Sequence, residues 1–445
     1  MQGPKMELMS PWETKKSGKY LMVLILFFLM HIIMVFVSKS TPGVMKAHFA
    51  ISMSIGFWLA FSSSKMERVA YAAAYIVGSE VLWRMTGSGA YYEVAKYSIA
   101  SIFLLALVRK QKFRNFLLYF LYFIFFLPSI FLLIGKMDSV ETRKEISFNL
   151  SGPLLLFMSC WFFSNLKMTK KNLINFFLIL TGPILGICFA AFYGMIKTEN
   201  LRFHAYSNII TSGGFGPNQV SAILGLGALS SFLLLTFQGI KNFFFKLLML
   251  AICIGMLAQG TLTFSRGGVY LALGSAALYF LYLIKERKKR NYLFIAIIAL
   301  IILGNSIMPK LNSFTQNALG ECFRNTDSSG RDQLFQDDIN IFIENPIMGV
   351  GPGQAASLRT DSGTAHTEYS RILAEHGSLG VMALLLLFLI GFTAFQSKRT
   401  REGKALTLSL LSWGFGFMLI NAMRLSAVSV ILGLCCSHFI FEETD

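Results

Sequence analysis

Apolar runs of roughly twenty residues, separated by short polar and basic linkers, recur along the whole chain. Each is long enough to cross the ~30 Å hydrocarbon core of a bilayer as a helix. They fall at roughly 20–37, 47–63, 69–83, 92–108, 115–135, 150–165, 173–195, 218–238, 246–263, 268–284, 292–308, 378–395, 405–422 and 425–440, so the pattern predicts about 14 spans. The fold class expected is an all-α polytopic membrane protein of about 12–14 transmembrane helices. It reads as a single transmembrane domain over 1–445, with one large loop, 309–377, that contains short helices. The stretch Met1–Lys19 is polar and basic, and the run after it carries no small-residue cleavage site. That run is therefore expected to be a first span and not a signal peptide.

Inside the large loop the period changes. Asp332–Glu344 reads as a helix with Leu334, Phe335, Ile339, Ile341 and Phe342 on its apolar face. Ser329 is placed to cap it, with Asp332 three residues on, and Pro346 biases Asn345 out of the helix and ends it. Such a helix is expected to lie flat on the outer membrane face or on the spans. A second helix begins at His366–Glu368 and runs to Glu375, with Gly377 placed as its C′ residue before the next run.

The formal net charge is +17, with 54% hydrophobic and 14% charged residues. A nucleic-acid partner is not indicated, because the basic residues sit in short linkers between runs. With the N-terminus inside, Lys65 and Arg68, Arg109 to Arg114, Lys167 to Lys171, Lys241 and Lys246, Lys285 to Arg290, and Lys398 to Lys404 all fall on the inner side. This is the positive-inside alternation. It predicts cytoplasmic termini and an outward-facing 309–377 loop. Cys160, Cys188, Cys253, Cys435 and Cys436 lie within runs and Cys322 stands alone in the loop, so no disulfide framework is expected. No CxxC or HxxxH spacing points to a metal site. There is no internal repeat, low-complexity tract or separate soluble domain in the pattern.

The polar chemistry gathers on the outer side. Loop 196–217 holds Arg202, His204 and the turn Gly213-Gly214-Phe215-Gly216-Pro217, followed by Asn218 and Gln219. A short turn carries Phe264-Ser265-Arg266-Gly267-Gly268. The large loop carries Ser329-Gly330-Arg331-Asp332, then Asn345-Pro346-Ile347-Met348-Gly349-Val350-Gly351-Pro352-Gly353, then His366-Thr367-Glu368-Tyr369 and Glu375-His376-Gly377-Ser378-Leu379-Gly380.

Arg331, in the first turn of the loop helix, adds a bidentate grip to amides that already favour an anion; the alternative is a solvated or headgroup-binding arginine. Arg266 stands at the interface beside two glycines that let a backbone or ligand come close. Ionisable residues at membrane depth are costly and usually functional; the alternative is an arginine snorkelling to headgroups. His366 sits at a helix start, which keeps its imidazole neutral and able to take a proton; most loop histidines have no such role. His376 reads as a helix-end cap, and His31, His48 and His438 as packed within spans. Asn218 and Gln219 either bond a sugar or phosphate or cap the helix that follows. Gly349, Gly351 and Gly353 suit a loop that closes over a substrate.

Together these segments resemble the O-antigen ligase and polymerase superfamily, from loop 196–217 to the run at 378–395. The resemblance rests on the glycine turn ending in Pro217-Asn218, on Ser265-Arg266-Gly267, on Ser329-Gly330-Arg331, on Asn345-Pro346-x-x-Gly349-x-Gly351, and on His366-x-x-Tyr369 with Glu375-x-Gly377-x-x-Gly380. It implies a multi-pass glycosyltransferase of the bacterial inner (cytoplasmic) membrane with its active site facing the periplasm. Such an enzyme moves a glycan from undecaprenyl diphosphate to an acceptor hydroxyl, foremost as an O-antigen ligase attaching O-polysaccharide to lipid A–core in lipopolysaccharide biosynthesis. The partners implied are an undecaprenyl-diphosphate-linked glycan donor, a lipid A–core or glycan acceptor, and membrane lipids, with no nucleic acid, no metal and no cofactor.

By the same resemblance Arg266 and Arg331 hold the diphosphate and His366 is the base. The substrate-binding set is Arg202, Asn218, Gln219, Glu368, Gly349 and Gly351, of which Arg202 matches only loosely. One departure stands out: many members have His-Asn where this chain has His366-Thr367. A threonine still caps a helix, but any role for an asparagine amide is lost. The same motifs serve a polymerase joining repeat units or an O-oligosaccharyltransferase, and the lack of a large soluble domain disfavours protein-loading forms. Outside the class, a lipid or polysaccharide transporter would place ionisable or broken-helix sites near the bilayer midplane, whereas here the polar residues cluster at one interface.

Overall fold

Apolar runs at membrane depth become helices because a helix satisfies its own backbone where no water can. The structure, a computed structural model, describes residues 17–199, 201–237, 242–284, 298, 304–325, 331–360 and 367–441. In chain order the helices are α1 (Ser17–Ser38), α2 (Gly43–Ser62), α3 (Met66–Met85), α4 (Val94–Arg109), α5 (Phe116–Ile124), α6 (Ser139–Ser164), α7 (Lys170–Lys197), α8 (Pro217–Thr236), α9 (Phe243–Leu262) and α10 (Arg266–Leu283). There follow α11 over 304–314, then α12 (Ala318–Arg324), α13 (Arg331–Glu344), α14 (Ala355–Leu358), α15 (Glu368–Gln396), α16 (Arg401–Ile420) and α17 (Ser426–Cys435). Among the described residues nine helices are long and apolar enough to cross a membrane. The chain is an all-α, multi-pass membrane protein.

The core runs through α3, α6, α7, α8 and α17, while α1, α2 and α9 lie at the edge with Ile33, Phe36, Trp58, Phe61 and Leu247 exposed, as suits helices with one face in lipid. Small residues set the close crossings. A Cβ on Gly268 would overlap the Ser221 carbonyl, and one on Gly225 would overlap the Gly268 carbonyl, so α8 and α10 touch backbone to backbone. The glycines after Arg266 thus serve packing: Gly268 admits α8, and a Cβ on Gly267 would lie 2.7 Å from Ile420 Cδ1. Between α1, α2 and α3 a polar knot is buried, with His31 Nε2 at 3.0 Å and His48 Nε2 at 2.6 Å from Tyr75 Oη, and Trp83 Nε1 donating to His48 Nδ1 at 2.9 Å.

At one end of the bundle, β1 (Lys167–Thr169) pairs in parallel with β2 (His438–Ile440), Lys167 opposite His438. Lys398 Nζ donates to the carbonyls of Cys435 (2.7 Å) and Ser437 (2.5 Å) beside them. The opposite end carries the turns 201–216, 264–266 and 421–425 together with α12 to α14 and the start of α15, and is called the site face below.

Several sequence expectations change. The run 425–440 is not a full span: α17 has 10 residues, all buried, and is about 15 Å long, half of the ~30 Å a span needs. Its sequence is apolar because it is enclosed by protein, against α6 and α16. His438, expected inside that span, is exposed in β2. The run 115–135 breaks at Pro128 into α5 and a 3-10 turn over Pro128–Leu133, since proline removes a helix donor. Most of the run 292–308, the proposed cap Ser329 and the proposed base His366 lie outside the described residues.

The loop helix α13 forms, but its buried face is Leu334, Asp337, Asp338 and Ile341, with Phe335 47% exposed. Two aspartates stand where an apolar stripe was expected, because each has a buried partner, described below. Gly377 (φ 59°) breaks α15, and the membrane-crossing part follows that break.

Candidate active site

Arg266 is set at the start of α10 by the turn before it. Phe264 has φ 57°, a left-handed conformation that bulky residues rarely adopt. Its ring is buried with Ala318, Leu319 and Cys322 in a small satellite core. Phe203, next to the exposed Arg202, packs on Phe264 at 6.0 Å and on Phe314 at 5.6 Å. Loop 201–216, the 264–266 turn and α12 therefore share one anchor. Ser265 Oγ donates to Asn218 Oδ1 at 2.8 Å, and Ser221 Oγ donates to the Ser265 carbonyl at 2.6 Å. Arg266 Nη1 donates to the Asn325 carbonyl.

Arg331 opens α13 in the same corner. Burial, and after it the Arg266 guanidinium, hold the Arg331 guanidinium below its usual pKa range. Two cations far apart in sequence thus lie close enough to repel, an arrangement that an anion between them would relieve.

A second cluster adjoins it. Arg84, at the end of α3, pairs with Glu80 at 2.5 Å, donates to the Tyr92 carbonyl at 2.6 Å and lies over the Tyr92 ring at 3.8 Å. Its Nη1 reaches Gln219 Oε1 at 3.3 Å, and Gln219 Nε2 donates to Tyr92 Oη at 3.1 Å. Asn218 and Gln219, adjacent in sequence, so join the Arg266 turn to Arg84. Glu80 Oε2 accepts from Ser426 N at 2.8 Å and Oγ at 2.6 Å, a carboxylate placed at the positive end of α17. From the other side Glu368 Oε2 accepts from Met423 N at 3.1 Å. Two buried carboxylates hold the irregular segment 421–425, which is how such backbone is tolerated inside a membrane protein.

Between that segment, α6 and the first part of α15 lies a cavity of about 250 Å³, lined among others by Lys144, Glu145, Phe148, Asn149, Arg371 and Arg424. Arg371 bonds Glu368 Oε1 at 2.5 Å, Glu375 Oε2 at 2.6 Å and Asn149 Oδ1 at 3.2 Å. Arg359, also on the wall, bonds Asp338 Oδ1 through Nε at 2.8 Å and Nη2 at 2.7 Å. Asp338 Oδ2 accepts from Ser370 Oγ at 2.6 Å, and Asp337 Oδ2 accepts from Thr360 N at 2.9 Å. These are the partners that let α13 bury two aspartates, and they tie it to the cavity wall.

Residues 248–385 match the family model described as O-Antigen ligase. The match spans under a third of the chain and supports its membership of the O-antigen ligase superfamily. Its function is of the O-antigen ligase or polymerase type: a membrane enzyme that transfers a glycan, with a lipid-linked glycan and an acceptor as its substrates in general terms. Among curated proteins none matches the chain. The O-antigen ligase segment contains Arg266, Arg331, His366, Glu368, Arg371 and Glu375, and the fold adds Arg84, Gln219 and Arg424 from outside it.

Of the sequence candidates, the fold brings Arg266, Arg331, Asn218 and Gln219 to one end of the bundle, with Glu368 at the cavity. Arg202 is exposed on the same loop as Phe203. Thr367, after His366, caps α15, its Oγ1 accepting from Tyr369 N at 3.2 Å. Gly349 and Gly351 are pinned against the α15 break rather than free: Val350 N donates to Ala374 O and Gly351 N to Glu375 O, both at 3.0 Å. A Cβ on Gly377 would lie 2.6 Å from Gly349 N, so glycine is needed where two backbones touch. His376 is buried, Nδ1 at 2.6 Å from Ser129 Oγ and its ring edge-on to Phe126 at 4.9 Å.

Arg84, Arg359, Arg371 and Arg424 are absent from the sequence candidates. Arg84 and Arg371 carried a usable signal, an acid three or four residues away on the same helix. Arg424 carried none, since an arginine between two apolar runs reads as an ordinary linker charge.

Proposed function

We propose that the protein is a ligase-type glycosyltransferase at the periplasmic face of the bacterial inner membrane, moving a glycan from undecaprenyl diphosphate to an acceptor hydroxyl, foremost of lipid A–core. The observation that supports this is the meeting of Arg266 and Arg331 inside the O-antigen ligase segment. A diphosphate leaving group brings its own activation, so transfer needs charge stabilisation and a base. In this reading the two guanidiniums take the diphosphate oxygens, which planar forks fit better than ammonium groups. His366, just before the cap of α15, accepts the acceptor hydroxyl proton. The hydroxyl oxygen bonds to the anomeric carbon as the bond from that carbon to the phosphate oxygen breaks. The electron pair leaves on undecaprenyl diphosphate, whose charge the arginines hold. Asn218, Gln219 and Glu368 act on substrate through the frame they brace. No metal or nucleotide enters the scheme.

The deciding experiment is transfer by the purified full-length protein, given a polyprenyl-diphosphate glycan and either lipid A–core or a second lipid-linked glycan. Transfer to lipid A–core is expected. Transfer to the second lipid-linked glycan alone would make the protein a polymerase, and none to either would remove the reading. Within the same assay His366→Ala is expected to keep donor binding and lower the rate roughly 10²–10⁴-fold, the usual contribution of a general base. A rate within a few-fold of wild type would move the base to Glu375 or Glu368.

A further inference from the structure

The cavity and the arginine corner differ in their charge. Around the cavity stand Lys144, Arg359, Arg371 and Arg424 against Glu145, Glu368 and Glu375. Much of that charge is already matched, since Arg371 bonds both Glu368 and Glu375 and Arg359 bonds Asp338. What remains is a dense set of donors and acceptors with little net field. An anion as strong as a diphosphate suits the Arg266–Arg331 corner, and carboxylates on the wall oppose it here. Neutral hydroxyls suit the cavity, because planar carboxylate, amide and guanidinium groups can bond adjacent hydroxyls in pairs.

The wall also has an aromatic element. The Phe148 ring lines the cavity, 5.4 Å from the Tyr92 ring and 5.9 Å from the Arg424 guanidinium. An aromatic face beside planar polar groups fits a pyranose, which has an apolar C–H face and a polar rim. Size agrees: drug-sized ligands need about 300 Å³ or more, and about 250 Å³ suits a single sugar ring. We propose that this cavity binds one pyranose unit of a glycan substrate, with Phe148 as its stacking platform and Glu145, Asn149 and Arg424 as its hydrogen-bond partners. Arg371, Glu368 and Glu375 are positioning residues that fix the wall. Arg331 and Asp338, which holds the cavity's Arg359, are on the same helix α13, about 10 Å apart along its axis. A sugar in the cavity and a diphosphate at Arg331 are therefore both held by one rigid element, from its first turn and from its middle. The assignment rests on the glycan-transferase reading, and the sugar can come from the donor or the acceptor.

The test uses the full-length protein in nanodiscs and two soluble probes: the delipidated oligosaccharide of the host's own surface glycan, and inorganic pyrophosphate. Ala356→Phe fills the cavity from a lining residue outside the ion pairs, and Glu145→Gln removes one charge without changing shape. Both variants are expected to weaken oligosaccharide binding about tenfold or more, the size of one lost hydrogen bond to a charged group, and to leave pyrophosphate binding unchanged. If Ala356→Phe does not fold, Glu145→Gln decides. Oligosaccharide binding within about twofold of wild type in the folded variants, loss of pyrophosphate binding instead, or no oligosaccharide binding by the wild type each overturns the proposal. In the transfer assay a raised KM for the acceptor or for the donor supports it and identifies which sugar is held. A wild type that binds oligosaccharide at this cavity yet transfers to neither acceptor sinks the transferase reading and leaves the sugar site standing.

Discussion

At the scale of single residues, the arginine corner and the buried histidine separate function from stability. Arg266→Ala or Arg331→Ala is expected to reduce transfer roughly 10²–10³-fold or more, the loss seen when one preorganised donor to a developing anion is removed. The lysine variants should recover part of it, because charge returns without the planar fork. Transfer rates on protein matched for membrane insertion check this, and full activity of Arg266→Ala would remove the anion clamp. His376→Ala should act in the opposite way. It removes a fully buried ring that packs on Phe126 and bonds Ser129 Oγ at 2.6 Å, so a loss of about 2–5 kcal/mol of stability is expected from the cavity left behind, with transfer per folded molecule nearly unchanged. Arg266 and Arg331 stood out in sequence because glycines and a helix start surround them, and the fold brings them into one corner. His376 was misread as a cap, since nothing local tells of Ser129, which is distant in the chain.

At the scale of elements, buried acids explain why some segments looked wrong in sequence. The helix α13 was legible from its period, but its inward face was not, because Asp337 and Asp338 bury only by grace of Thr360, Ser370 and Arg359. The run 425–440 looked like one more apolar span, yet it yields only the 10-residue α17, preceded by an irregular turn that Glu80 and Glu368 hold. Apolar composition cannot distinguish a helix enclosed by protein from one enclosed by lipid. These acids give a stability prediction. Arg371→Met leaves Glu368 and Glu375 buried without their cation, so about 3–5 kcal/mol should be lost. Thermal unfolding in detergent measures it, and a shift no larger than that of an exposed control such as Lys144→Met would mean that the triad is not the brace of α15. A Gly268→Ala variant should likewise weaken the α8–α10 crossing, where a Cβ meets the Ser221 carbonyl, by about 1–3 kcal/mol.

At the scale of the whole molecule, the question is which end of the bundle faces outward. Both ends are basic, but the basic residues are used differently. At the strand end, Lys167, Lys398 and the Arg114 linker stand near β1 and β2 in short connections, the kind of loop that the positive-inside rule counts. At the site face, Arg84, Arg359 and Arg371 are tied to Glu80, Asp338, Glu368 and Glu375, while Arg266 and Arg331 lie together in one corner. Charges neutralised in this way contribute little to orientation, so the linker lysines should decide it and the site face should be outside. Cysteine labelling separates the two orientations, with the unaltered chain as control. Gln336→Cys, on the exposed side of α13, should react with a membrane-impermeant maleimide in intact cells, and Lys112→Cys, also exposed, only after lysis. The reverse pattern would put the arginine corner in the cytoplasm, where the proposed periplasmic transfer has no place. The glycan-transferring fold would then remain, but its donor, its acceptor and the direction of the reaction across the membrane would all have to be assigned anew.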